Sequence, residues 1–257
     1  MIPNIFHFVF GLAEDFGGKP FSLCHYLAIK SALDNNKDFT ARLYYKYKPT
    51  GKWFEKIEPE LELVPITPPK EIFGRPLLHI AHQTGVIRLQ VLLEHGGIYM
   101  DLDTICVKSF KPLLDNPCVL GIQGECIGHV EGLCDGVILA QRGSLFLKHW
   151  LFSYQSHRSK GRDEHWGEHA VFMPYFLSTQ FPSLLHIESH TSFHYPLYHT
   201  PHLKMMFEES RKFPEAYCHH LWETVSWDKY LKNLTPEFIL NKDTSYNLLA
   251  RRHLDEV

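Results

Sequence analysis

The chain has 257 residues, 44% of them apolar and 21% charged, and a formal net charge of −3. That composition belongs to an ordinary globular protein with a substantial core, and it excludes disorder and a general electrostatic attraction to nucleic acid. No run approaches the ~18 consecutive apolar residues of a membrane-spanning helix, although peripheral membrane contact stays open. The six cysteines lie far apart with no Cys-x-x-Cys pair, a pattern that argues against a zinc knot and for reduced thiols in a cytoplasmic protein.

Residues 2–10 (IPNIFHFVF) are β-branched and aromatic, with Pro3 at the start, where a strand tolerates it. A loop over 11–20 leads to residues 21–36, where Leu23, Leu27, Ile29, Ala32 and Leu33 mark one helical face. Residues 41–47 and 61–66 read as the second and third strands, the latter despite Pro65. The longest helical pattern spans 79–95; Gly85 lies inside it, and Gly96 supplies its C-terminal stop. A short strand follows, then strands over 119–123 and 136–140 and helices over 145–154 and 170–178. From about 181 the periodicity weakens into aromatic, His-rich stretches such as 192–196. Strand, helix and further strands open an α/β sheet, and no repeat or linker divides the chain, so one domain is expected.

The stretch that concentrates chemistry is Gly96-Gly97-Ile98-Tyr99-Met100-Asp101-Leu102-Asp103. Side chains alternate along a strand, so Asp101 and Asp103 are expected to point the same way from its end. Paired carboxylates beside an apolar strand are costly unless a cation or donor compensates them, and a hard divalent cation that holds phosphates fits such a pair. In open α/β sheets, ligands gather at the carboxyl ends of strands.

Arg88, the leucines that follow it and Gly96-Gly97-x-Tyr99-x-Asp101-x-Asp103 together resemble the signature of the DXD glycosyltransferases. These include the family 32 mannosyltransferase-like proteins and the glucosylating domains of large clostridial toxins. His7-Phe8-Val9-Phe10-Gly11 is similar to their first strand, His-Phe-Val-Trp-x-Gly. Residues 137–140, His220-Leu221-Trp222 and Ser226-Trp227 also fall where such chains carry similar residues. The resemblance implies a GT-A type fold, a Rossmann-like mixed central sheet flanked by helices. Its nucleotide-sugar half would span about 1–110, and its acceptor half with a mobile C-terminal lid about 111–257.

The same resemblance implies roles. Asp103 would bind Mn²⁺ or Mg²⁺ directly, Asp101 would meet the donor ribose and the metal's water shell, and His220 would add a late ligand. Arg88 would hold the diphosphate or sugar, Tyr99, Phe8 and Phe10 would pack on the nucleotide, and Asp135 would line the sugar pocket. Glu168-His169 is a further candidate for the acceptor side, with helix capping an equal explanation of Glu168, and His219 an ordinary histidine. The donor would be a nucleotide sugar, a UDP-sugar ahead of GDP-mannose, and the acceptor a glycan, lipid or protein. Transfer would retain anomeric configuration by a front-face route without a dedicated base. One departure stands out: Thr84-Gly85 replaces the Ser-Asp or Ala-Asp found three residues before the arginine. That keeps a nucleotide-sugar binder with lost or altered transferase activity as one rival reading; a metal-dependent phosphate-ester hydrolase, which also needs paired carboxylates, is another.

Overall fold

A computed structural model describes residues 1–126 and 128–254. Its strands are β1 (Ile5–Val9), β2 (Thr40–Tyr45), β3 (Leu61–Pro65), β4 (Glu71–Ile72), β5 (Arg75–Pro76), β6 (Gly97–Met100), β7 (Thr104–Cys106), β8 (Cys118–Cys126), β9 (His129–Ala140), β10 (His186–Glu188) and β11 (Cys218–His220). Its α-helices are α1 (Leu23–Asn35), α2 (Lys52–Ile57), α3 (Ile80–His95), α4 (Leu145–Ser153), α5 (Met173–Gln180), α6 (Thr200–Phe207), α7 (Glu223–Ser226), α8 (Pro236–Asn241) and α9 (Ser245–Ala250). Seven strands form one sheet in the order β10-β8-β9-β6-β1-β2-β3. β1 pairs in parallel with both β2 and β6, and β9 runs antiparallel to β6 and β8. The protein is therefore a single mixed α/β domain, as the expected Rossmann-like sheet flanked by helices requires.

Side-chain alternation splits the core into two layers. Ile98 and Met100 of β6, with Phe6 and Phe8 of β1, meet α1 and the C-terminal segment on one face. Tyr99, with Leu120 and Ile138, meets α3 and α4 on the other. The chain turns to opposite sides of β1 for β2 and for β6, which makes the carboxyl ends of β1 and β6 the switch point of the sheet, the usual place for a ligand in such folds.

The Gly96-Gly97 pair serves the passage from α3 into β6. Both residues have positive φ, 67° and 110°. A Cβ on Gly96 would stand 2.7 Å from the Arg142 amide nitrogen, and one on Gly97 would stand 2.5 Å from the Ile5 carbonyl oxygen. Neither position admits a side chain without moving backbone.

Three expectations need correction. The β6 strand ends at Met100, so Asp101 and Asp103 sit in the turn to β7 and do not alternate along a strand; the Thr104 hydroxyl donates to the Asp101 carbonyl and shapes that turn (2.8 Å). The stretch beyond 181 is not chiefly loop: α6 to α9 have only four to eight residues each, too few for a periodic signal, and they pack on the α1 face. The expected helix over 170–178 instead begins with a π-helical turn, Glu168–Phe172, before α5. All six cysteines are free. No helix among the described residues is long and apolar enough to cross a membrane.

Candidate active site

A cavity of about 670 Å³ opens at the switch point. Val9 and Phe10 reach it from the end of β1, Arg88 from α3, and Tyr99, Asp101 and Asp103 from β6 and its turn. Asp135 arrives by a different device. The β8–β9 ladder pairs Leu120 with Ile138 but Gly121 with Cys134, so a bulge in β9 carries Asp135 and Gly136 out of register. The Asp101 amide donates to the Gly136 carbonyl at 2.8 Å, which holds that bulge beside the aspartate turn.

Arg88 is the cationic centre of the buried half. Its guanidinium lies 3.3 Å from an Asp101 carboxylate oxygen and 3.1 Å from one of Asp135, and it covers the Tyr99 ring at 4.4 Å. The Tyr99 hydroxyl donates to Asp101 at 2.6 Å. Burial pushes the Asp135 carboxyl up to about 6 against the pull of Arg88, and it raises Asp101 as well. Burial also disfavours the charge on Arg88, but Asp101 and Asp135 outweigh it and hold the guanidinium firmly protonated.

Asp103 sits in a second network. Its carboxylate lies 3.2 Å from His220 Nε2 and accepts the Glu223 amide N–H at 2.6 Å. Burial opposes ionisation of Asp103, yet His220 and that N–H hold it well below the usual carboxylate range. Burial lowers and Asp103 raises the His220 imidazole, and the carboxylate prevails. Trp222 turns the chain here with a left-handed backbone (φ 56°), stacks on His220 with ring centroids 4.0 Å apart, and donates its indole N–H to Pro196. A non-glycine residue in that conformation carries strain of about 1–3 kcal/mol, and here the turn is what aims the Glu223 amide at Asp103. Ligand atoms of Asp101, Asp103 and His220 lie within 4.8 Å of one another.

The structure thus brings Arg88, Tyr99, Asp101, Asp103, Asp135, His220 and Phe10 to one cavity. Phe8 does not reach it: the residue is fully buried on the α1 face, because it alternates with His7 along β1 and shares its side with Phe6. His219 points the other way from His220 and bonds the Tyr195 carbonyl through Nδ1 (2.7 Å). Glu168 is held bidentately by Arg158 and His169 is buried against α4, so neither lines the cavity. His220 belongs to β11, a short strand paired antiparallel with β7.

Sequence reasoning missed Glu223, Tyr154, Gln123, Glu131 and Trp166. A Cβ at Gly85 would stand 2.8 Å from the Tyr154 hydroxyl and 3.9 Å from an Asp135 carboxylate oxygen. The space beside Gly85 is therefore filled from the turn after α4 and from β9, contacts that no local pattern announces. Only the position of Trp222, two residues after His220, carried a signal in the sequence.

Comparison with known proteins agrees with this geometry. Residues 25–120 match the family model for the glycosyltransferase sugar-binding region containing the DXD motif. The chain is 33% identical over 262 residues to Glucan organizing enzyme 1 of Cryptococcus neoformans var. grubii, across 98% of this chain and 70% of that protein. Among solved structures, the apo form of the glycosyltransferase GlyE of Streptococcus pneumoniae superposes with a TM-score of 0.53 at 12% identity, covering 98% of this chain and 60% of that one. The PaToxG glycosyltransferase superposes with a TM-score of 0.50 at 17% identity, covering 70% and 69%; at such identities the likeness speaks for the fold alone. A relative that shares a third of its residues across nearly the whole chain, and a motif whose aspartates meet in the switch-point cavity, make this chain a member of the DXD-containing glycosyltransferases.

Proposed function

We propose that the protein transfers a hexose from a nucleoside diphosphate sugar, a UDP-sugar by preference, to a glycan acceptor with retention of configuration. The convergence of Asp101, Asp103 and His220 beside Arg88 carries this reading. Two carboxylates and an imidazole are a donor set that suits Mn²⁺ or Mg²⁺ next to phosphate oxygens. A cation held by these three residues supplies positive charge where the diphosphate leaving group forms.

The chain's own residues do the rest. Arg88 presents a fixed positive charge to the same phosphates, positioned by Asp135 and the Tyr99 ring before any donor arrives. Tyr99 and the Glu223 amide fix the orientation of Asp101 and Asp103. Phe10 offers an aromatic face to the base at the end of β1, and the Asp135 carboxylate accepts from sugar hydroxyls. Trp222 and Trp166 add apolar wall to the cavity. The name of the Cryptococcus relative supports a glucan as the acceptor class.

The test is release of UDP or GDP from a panel of nucleotide sugars, with and without Mn²⁺, in the presence of glucan oligosaccharides. Metal-dependent release with one donor, lost in Asp103→Ala while the fold persists by circular dichroism, is the expected result. Full activity in Asp103→Ala, or no binding of any nucleoside diphosphate by calorimetry, would overturn the proposal.

A further inference from the structure

His220 has two ring nitrogens, and only one of them faces Asp103. On its other side a second set of ligand-type groups converges: Cys134 Sγ and one nitrogen each from His194 and His220 lie within 4.8 Å of one another. Cys134 belongs to β9, His220 to β11, and His194 to the loop between β10 and α6. All three are buried, His194 completely. Neither nitrogen of His194 has a hydrogen-bond partner, and Nδ1 of His220 has none beyond the Cys134 thiol, although all three atoms are sealed from solvent.

Buried polar atoms in native proteins are nearly always satisfied, so an imidazole with both nitrogens unmet, His194, beside the Cys134–His220 pair calls for a partner that the protein atoms do not supply. The rings of His194 and His220 stand 5.8 Å apart and are inclined at 62°. Rings so disposed can aim two lone pairs at a common point without stacking. Glycine backbone packs directly against both rings: a Cβ on Gly136 would stand 3.3 Å from His220 Nδ1, and one on Gly121 would stand 3.2 Å from His194 Cδ2. A comparable group elsewhere, Cys24 with His25 and Glu223, behaves differently. There His25 bonds both Ser22 and Glu223, and the Ser22 hydroxyl meets Cys24, so the polar needs of that group are met internally.

We infer that Cys134, His194 and His220 form a binding site for a zinc-class divalent cation, separate in its ligand chemistry from the aspartate pair. One thiolate and two neutral imidazoles suit a borderline-soft ion with tetrahedral preference, and they suit Mg²⁺ or Mn²⁺ poorly. On binding, the Cys134 S–H and His220 Nδ1–H bonds break, sulfur–metal and nitrogen–metal bonds form, and both protons leave to buffer. His220 would ligate through Nδ1 and keep its Nε2–H on Asp103, the carboxylate–histidine–metal arrangement that fixes ligand orientation in many metal sites. The soft cation would then hold Asp103 and His220 away from the cation of the transferase site, a consequence that rests on the function proposed above.

Co²⁺ is the probe, because a cobalt–thiolate bond gives a near-ultraviolet charge-transfer band. Titration of the whole protein should give that band at one Co²⁺ per chain, with Zn²⁺ displacing it. Cys134→Ser should abolish the band. His194→Gln should weaken cobalt affinity by about 10–100-fold or more. Asp103→Asn should keep the band while losing Mn²⁺-dependent donor turnover, which separates a failure of this site from a failure of the transferase reading. No band in the wild-type protein, or an undiminished band in Cys134→Ser, would overturn the assignment. Cys134→Ser is close to isosteric and decides the matter even if His194→Gln does not fold.

Discussion

Replacing Arg88 with methionine isolates what the guanidinium does for the fold. Its side chain is 6% exposed and faces Asp101 and Asp135, whose side chains are 23% and 14% exposed. Methionine keeps most of the packing on Tyr99 but leaves two carboxylates facing each other without a cation. Breaking a buried ion pair in this way costs about 3–5 kcal/mol; because both acids open partly to the cavity, the lower end, about 3 kcal/mol, is expected. For a domain of this size that lowers the melting temperature by roughly 6–12 °C at pH 7. The deficit should shrink on acidification. Asp135 already titrates near 6 in the presence of Arg88, and losing the cation raises it further. A carboxyl whose folded pKa lies above its unfolded value takes up a proton on folding, so the variant gains relative stability as pH falls through that folded value. Calorimetry at pH 8, 7 and 5.5 reads all of this, and Arg88→Met/Asp135→Asn should recover part of the loss. If Arg88→Met melts within about 2 °C of wild type at pH 7, or if the double variant is no more stable than the single one, the ion pairs do not carry the load assigned to them.

His7 gives a second, independent reading of burial. It bonds the Tyr44 hydroxyl and the Gly96 carbonyl, and burial lowers it to about 4. Above pH 6.5 both folded and unfolded histidine are neutral; below it the unfolded state alone takes the proton, so up to about 3 kcal/mol is lost as pH falls from 6.5 to 4. His7→Gln should flatten the stability–pH curve by about one proton in that window, measured by urea unfolding, and an unchanged slope would refute the argument. Gly85→Asp should destabilise the protein by about 1–3 kcal/mol, because its Cβ meets the Tyr154 hydroxyl at 2.8 Å. Tyr154→Phe in the same chain should return part of that loss, and a melting temperature at or above wild type for Gly85→Asp alone would refute the reasoning.

The parts of the molecule legible in the sequence are those set by local periodicity. The face of α3, its stop at Gly96 and the apolar β6 that follows announce themselves within a few residues, and they fix Arg88 and the two aspartates in neighbouring elements. Alternation alone groups Phe6, Phe8 and Phe10 on one side; it is the end of β1 at Val9 that brings Phe10 to the cavity while Phe8 stays in the core. What could not be read locally is what arrives from far along the chain. Asp135 reaches Arg88 because β9 bulges against β8, a register shift that no composition encodes. Glu223 reaches Asp103 because Trp222 adopts a left-handed turn after a three-residue strand.

The missing carboxylate at position 85 takes on a different meaning in this light. In sequence it reads as a subtraction from the donor site. In space, Arg88 already faces two carboxylates, one from the aspartate turn and one from the β9 bulge. A third from α3 would set one guanidinium against three acids in a region where burial already pushes Asp135 up to about 6. The charge balance around Arg88 is therefore complete without residue 85, and Gly85 makes room for the Tyr154 hydroxyl. If Asp135 supplies the carboxylate that the sugar meets, the departure at 85 and the acid at 135 are one change seen at two positions. Asp135→Asn should then impair donor use more than its modest effect on charge would suggest. Unaltered donor turnover in that variant would leave Gly85 as a plain loss.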